Sequence, residues 1–307
     1  MKRVTPAIVL RALRLPFVAA SLLPFLAGSL HAGQPLRGLR LLLGLLMVAA
    51  NHLAANLLND YADSRSGADW ADRRFFGYFG GSKLIQEGVL SERFYVLTAL
   101  ALFASAFGLA AGLSRLMGSP LILVLYGIIF LLSWSYSARP LRLAYRQLGE
   151  VTVFLLFGPA LVMGGMTIQA GSFPVWSSFW LSVPFGLMTA AILFANEVPD
   201  YPQDRAAGKF TLVHLTTPRF AYRLYAFLMA GAFAAISADV IVGNCGWLAL
   251  GALLLVLPAY RATRVLRADW NTKEALVLSS RLTIACQAQA SLILVLDQAL
   301  RWFKVYG

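Results

Sequence analysis

Long apolar runs alternate along this chain with short, charged connections. Nine runs, at 14–32, 40–60, 93–113, 118–135, 150–169, 176–195, 221–242, 245–260 and 283–300, have about the length an α-helix needs to cross a hydrocarbon core. They lack the two-residue alternation of an outer-membrane barrel strand. The pattern predicts an all-α, polytopic membrane protein, a bundle of nine transmembrane helices. The first run lacks a small-residue cleavage site and is read as a permanent span.

Composition agrees with the pattern: of 307 residues, 59% are hydrophobic and only 13% charged, too few to clothe a soluble globule of this size. An odd number of spans puts the termini on opposite sides of the bilayer. Of the 26 Lys and Arg, 21 fall on the N-terminal side, from Lys2 and Arg3 to Arg281; Arg37, Arg40, Arg115, Arg301 and Lys304 fall on the other. The positive-inside rule then makes the N-terminal side cytoplasmic, and the net charge of +12 reports topology rather than a nucleic-acid surface. Cys245, Cys286, His31, His52 and His214 are scattered, form no zinc or disulfide pattern, and read as packing or loop residues.

Two polar islands interrupt the apolar chain. NLLNDYADSRSGADWADRR runs from Asn56 to Arg74 and NEVPDYPQDRAAGKF from Asn196 to Phe210; each follows a span on the same side. Asn59 and Asp63 repeat as Asn196 and Asp200 at one offset of 137 residues. The offset suggests two diverged helix–loop–helix units, regions 40–135 and 176–260, within a single membrane domain over 1–307. Asn56, Asn59, Asp60 and Asp63 share one broad helical face, and Asp69 follows a turn-prone segment. Asn196, Asp200 and Asp204 would line up similarly on a continuous helix, but Pro199 and Pro202 predict that the helix kinks or ends there.

Carboxylates at a helix C-terminus face the negative end of its dipole and here also repel one another, so the arrangement asks for a cation. Oxygen ligands without Cys or paired His suit a hard ion. The set Asn59, Asp60, Asp63, Asp69, Asn196, Asp200 and Asp204 predicts Mg2+, which binds through few carboxylates plus substrate phosphates. Lys83, Arg139, Arg142, Arg146, Arg205 and Lys209 are candidate donors to a bridging polyanion, although topology alone explains each of them equally well. Gly80 and Gly81 beside Ser82 and Lys83 would allow close backbone approach, or simply a turn.

NDYAD with Asp69, and Asp200-x-x-x-Asp204, resemble the paired aspartate-rich motifs of the UbiA superfamily of intramembrane prenyltransferases. RLPFVAASLLPFLAGSL, GGSKLIQEGVLS, YSARPLRLAYRQLGE and NEVPDYPQDRAAGKFTLV extend the resemblance over nearly the whole chain. It implies a nine-helix bundle around a central cavity whose cytoplasmic end binds the diphosphate of a polyprenyl donor through Mg2+, with Asp63, Asp200 and Asp204 catalytic. The spacing to Asp69 resembles the MenA-like branch, which implies 1,4-dihydroxy-2-naphthoate as aromatic acceptor in menaquinone biosynthesis, and an inner-membrane enzyme with a cytoplasm-facing site. Glu197 and Pro199 depart from that branch.

In the implied chemistry, loss of diphosphate unmasks an allylic cation, which an electron-rich aromatic carbon attacks, and the proton or carboxylate displaced from that carbon is lost to restore aromaticity; no covalent enzyme intermediate is needed. Tyr136, Tyr145 and Asn56 would shield the cation or contact substrate, as could Trp134, Phe154 and Phe157, although packing explains each ring as well. Glu150 opens the fifth span, where an acid suits a helix N-terminus. A UbiA-related terpene cyclase and, from another class, a membrane transporter remain as alternatives.

Overall fold

The computed structural model describes residues 5–306; Lys2 and Arg3 of the charge count lie outside them. Each of the nine apolar runs is helical. A short amphipathic helix α1 (Pro6–Leu13) breaks at Arg14, in left-handed backbone, and a 3-10 turn leads into α2 (Ala19–His31). Then come α3 (Gly38–Ser66), α4 (Glu92–Met117) and α5 (Leu121–Ser137). The fifth run is divided by Gly158 into α6 (Gly149–Phe157) and α7 (Pro159–Ala170), and α8 (Trp176–Glu197) follows. Beyond it are the short α9 (Tyr201–Ala206), α10 (Val213–Ile241) with a break at Thr217 before Pro218, a 3-10 segment continuing as α11 (Val256–Ala268), and α12 (Lys273–Tyr306).

Among the described residues, seven helical runs are long and apolar enough to cross a membrane, and α1 with α2, bent by 43°, would make an eighth. Helix α5 is equally apolar but 17 residues long. Large side chains such as Leu131, Phe227, Trp247 and Leu257 stand exposed around the outside. A water-soluble surface would not tolerate so much apolar area, whereas lipid does.

Helices in lipid pack by close approach of small residues rather than by hydrophobic expulsion from water. Helices α2 and α7 show this directly. A Cβ on Gly28 would sit 1.9 Å from the Val162 carbonyl oxygen, and one on Gly165 would sit 2.1 Å from that of Phe25. Their contact forms one wall of an internal cavity whose other walls come from α3, α5, α6 and α8.

Loop contacts sort the connections into two ends. The segments after α3, α5 and α8 meet at one end, where Gln147 N–H donates to Phe210 O at 2.8 Å and Lys273 reaches Asp72 at 3.2 Å. At the other, Trp302 donates to Gln34 O at 2.8 Å and Arg301 to Gly243 O at 2.7 Å. Both polar islands lie at the first end.

Helix α3 outlasts its predicted apolar limit and stops only at Gly67, whose φ of 91° admits no ordinary side chain without strain. Helix α8 ends at Glu197, ahead of Pro199, as the prolines require. Asp200 then precedes α9, with Pro202 in its first turn, so Asp204 rides on a short separate helix rather than on a loop or on a continued α8.

Candidate active site

The last two turns of α3 carry Asp60 and Asp63 into the protein, where both are buried. The chain then folds back over them. Gly81 has φ +73°, and a Cβ there would lie 2.9 Å from Asp69 Oδ2 and 3.2 Å from Asp60 Oδ1. Glycine is therefore what lets this backbone cross directly above the carboxylates. The next residue, Ser82, donates its N–H to Asp60 Oδ2 at 3.1 Å, and buried Lys83 donates to Asp69 Oδ1 at 2.7 Å. Arg14, from the break after α1, holds Asp60 Oδ1.

The second island faces the first. Lys209 Nζ lies 3.2 Å from Asp63 Oδ2 and 3.6 Å from Asp204 Oδ1, a single ammonium bridging the two motifs. Asp63 also accepts from the Tyr145 hydroxyl at 2.5 Å and from Asn59 Nδ2 at 3.3 Å. Asp200 pairs with Lys273 at 3.4 Å, and its Oδ1 would lie 3.8 Å from a Cβ on Gly80. Asn196 donates to Tyr78 O at 3.0 Å while its buried Oδ1 has no partner; neither does Asp204 Oδ2.

Burial and crowding of like charge set the protonation of the loop groups. Burial, with the charges of Asp63 and Asp60, pushes Asp69 up to about 7 against the opposing pull of Lys83. Burial likewise pushes Asp204 up to about 7, Lys209 opposing and Asp200, Asp63 and Asp69 reinforcing. Asp200 is raised by burial in spite of Lys273, Lys209 and Lys83. For Lys209 burial disfavours the charge, but Asp204 and Asp63 more than compensate and hold it well above the ordinary lysine range.

No group of three or more His, Cys, Asp or Glu among the described residues converges as a ready-made metal cage. The donor set nevertheless fits a hard divalent ion that takes part of its shell from water or phosphate. Two buried oxygens, Asn196 Oδ1 and Asp204 Oδ2, lack any partner, and five carboxylates repel one another across the cleft.

Beneath this charged mouth lies a cavity of about 450 Å³. Arg14, Ser82, Asn59, Asn56, Tyr136 and Asn196 line its polar part, and Phe25, Met47, Ile122, Leu161 and Ile168 its apolar depth. The other expected contacts divide. Lys83 and Lys209 sit among the carboxylates; Arg142 stacks its guanidinium 3.7 Å from the Tyr145 ring centre; Arg139, Arg146 and Arg205 are exposed and do not line the cavity. Of the candidate rings Phe157 lines the cavity with Tyr136, while Tyr145 touches Asp63 through its hydroxyl.

Arg14, Ser82 and Lys273 were not foreseen. On sequence, the two basic residues differ in nothing from their topological neighbours, and only folding brings them to Asp60 and Asp200. Glu150 does lie in the first turn of α6, but it is buried beside Glu197 of α8.

A model of the UbiA prenyltransferase family matches residues 21–285. The chain is 33% identical over 217 residues to "UbiA prenyltransferase domain-containing protein 1" of Gallus gallus, covering 69% of this chain and 62% of that protein. It thus spans about three fifths of that relative's length. It is 30% identical over 234 residues to "1,4-dihydroxy-2-naphthoate octaprenyltransferase" of Mycobacterium tuberculosis, 76% of each chain. Among solved structures, a UbiA homolog from Aeropyrum pernix K1 superposes with a TM-score of 0.74 at 19% identity, over 92% of this chain and 98% of that one. A UbiA homolog from Archaeoglobus fulgidus bound to DMAPP and Mg2+ superposes with a TM-score of 0.59 at 17% identity, over 93% and 98%.

Proposed function

Because the chain belongs to the UbiA prenyltransferase family, we propose that it transfers a polyprenyl group from its diphosphate to an aromatic acceptor, with 1,4-dihydroxy-2-naphthoate as the preferred one. The observation that carries this reading is the meeting of the two aspartate motifs across Lys209 at the mouth of a deep apolar cavity. Such a site suits a molecule with a polyanionic head and a hydrocarbon tail. The similarity to the Mycobacterium tuberculosis octaprenyltransferase supports the naphthoate, and the homolog bound to DMAPP and Mg2+ supports a prenyl diphosphate and magnesium.

Asn59, Asp63, Asp69, Asn196, Asp200 and Asp204 are the residues that would hold Mg2+. The ion supplies neutralisation of the charge that gathers on the departing diphosphate. The chain's own residues do the rest. Lys209 and Lys83, both placed among the acids, present ammonium groups to phosphate oxygens. Asp60, taken up on both oxygens by Arg14 and the Ser82 N–H, holds the loop over the site instead of coordinating the ion. Tyr136 offers its ring where the allylic cation forms, and the apolar lining excludes water that would otherwise capture it. The excess of basic residues at this end supports a site facing the cytoplasm from the inner membrane.

Purified protein with Mg2+, a polyprenyl diphosphate and a panel of aromatic acceptors, read by mass spectrometry, is expected to give a prenylated naphthoquinol. A cyclised hydrocarbon without acceptor would assign the cyclase chemistry, and ion flux in liposomes with no product would overturn the enzyme.

The acids also predict a pH response. Asp69 and Asp204 titrate near 7, and a protonated carboxyl is a poor ligand, so half-saturating Mg2+ should rise roughly tenfold or more from about pH 8 to about pH 6. Stability runs the opposite way. Their raised values mean that ionisation costs more in the fold than in the unfolded chain, so without added cation stability declines as pH rises from about 4 through about 7. Mg2+ titrations of activity and of thermal unfolding across that range measure both trends.

A further inference from the structure

His52 lies in the middle of α3, about two turns from Asp60 and three from Asp63, and is 8% exposed. It lines the cavity with Asn56, and Val48, His52, Asn56, Asn59 and Asp63 follow one another at three- and four-residue steps along a single face of the helix. The axial separation of His52 from Asn59 is about 10 Å by helical rise. Its Nδ1 is 2.7 Å from Ser21 Oγ, and its ring packs edge-on to Phe157 with centroids 5.6 Å apart. Its Nε2 is buried and has no partner, and the same is true of Asn56 Nδ2.

The Ser21 Oγ–His52 Nδ1 bond can run in either direction. With Nδ1 donating, the Ser21 hydroxyl proton would have no acceptor, so the direction that leaves fewer groups unpaired has Ser21 donating to Nδ1. The imidazole's own proton is then on Nε2. With the Asn56 amide, that makes two unsatisfied N–H donors on one helical face of an apolar cavity. Unsatisfied polar groups at this depth cost free energy, and the fold relieves neither with a protein acceptor. They call for an oxygen on the molecule that fills the cavity.

We propose that His52 and Asn56 bind an oxygen substituent of the aromatic acceptor, and that Ser21 fixes the histidine tautomer that donates to it. This rests on the transferase reading. Of the two reactants, the prenyl tail carries no polar atom, and the diphosphate is engaged about two to three helical turns above, at the level of Asn59 and Asp63. Only the acceptor has an oxygen to present at this depth. A ring set against the first prenyl carbon bridges the interval, with the Phe157 face beside it. Two convergent donors also favour an oxygen that carries negative charge, an ionised ring hydroxyl or a carboxylate. That preference raises electron density in the ring carbon that attacks and disfavours neutral hydrocarbons as cavity occupants.

Steady-state kinetics of the full chain in detergent, with each substrate varied in turn, test the assignment. His52→Phe keeps a ring of similar shape without either nitrogen, and should raise the acceptor KM about tenfold or more while moving the donor KM less than about twofold. His52→Gln restores an N–H at the Nε2 position and should recover most of the loss. Ser21→Ala should give a smaller rise, again in the acceptor KM alone. Acceptor pairs with and without a carboxylate identify the oxygen: a penalty confined to carboxylated acceptors assigns the carboxylate, and an equal penalty in both assigns the hydroxyl. An unchanged acceptor KM in His52→Phe, or an equal rise in both KM values, overturns this inference alone. Absence of transfer to every acceptor by the parent chain overturns the transferase reading and this inference with it.

Discussion

Asp63→Asn is expected to reduce prenyl transfer by about a thousandfold while leaving the protein folded and monodisperse in detergent, with only a modest fall in its unfolding temperature. The substitution keeps the shape of the side chain. Its remaining carbonyl oxygen still accepts from the Tyr145 hydroxyl and Lys209 retains Asp204, while the new amide NH2 meets the donors Lys209 Nζ and Asn59 Nδ2, a local cost offset in part by one fewer negative charge in the cluster. What disappears is the charge at the point where the two motifs meet. Asp60→Asn provides the contrast, because Asp60 is committed to Arg14 and Ser82. Its loss should loosen the loop over the site and lower the unfolding temperature more than it weakens the response to Mg2+. Comparable turnover in Asp63→Asn and the parent would show that the carboxylate holds the fold and not the ion. Parallel Mg2+ titrations of both variants, with thermal unfolding on the same samples, separate the two roles.

Much of the architecture was legible because lipid imposes simple rules. Apolar run length marked the helices, and Pro199 marked the end of α8. The meeting of the two islands was legible from their shared side and spacing. The fine structure of the site was not. Arg14 reaches Asp60 only because the chain breaks after α1, and Lys273 reaches Asp200 only because α12 starts beside the second island. Neither break writes a local pattern around the residue that exploits it. Gly81 was ambiguous for a related reason: a positive-φ glycine looks the same in a plain turn as in a backbone laid over carboxylates, and the difference lies in what is underneath. Glu150 satisfied a local rule for helix N-termini, which concealed its tertiary neighbour Glu197. His52 read as a packing residue because one histidine within an apolar span has no sequence partner; Ser21, which orients it, belongs to another helix.

Lys209→Met should have the largest effect on stability. The methionine keeps most of the stem's volume and removes the ammonium that Asp63 and Asp204 share. Asp63 retains Tyr145 and Asn59, but Asp204, whose Oδ2 already lacks a partner, is left as a buried carboxylate with no counter-charge. Leaving a buried charge unpaired costs about 3 kcal/mol, enough to lower the unfolding temperature by several degrees above about pH 8, where Asp204 is ionised. Protonation of Asp204 offers one escape; because Lys209 opposes the rise to about 7 in the parent, its loss raises Asp204 further, and the deficit should already shrink as pH falls from about 8 toward neutrality. A divalent cation offers the other. Because the variant has one positive charge fewer at the same oxygens, Mg2+ should raise its unfolding temperature more than it raises that of the parent. Transfer should nonetheless remain depressed by about a hundredfold even at saturating Mg2+, since the diphosphate has lost an ammonium partner. Thermal unfolding with and without Mg2+ decides the matter: equal Mg2+ shifts in variant and parent would mean that Lys209 and the ion do not answer to the same carboxylates, and the divided site would have to be placed elsewhere.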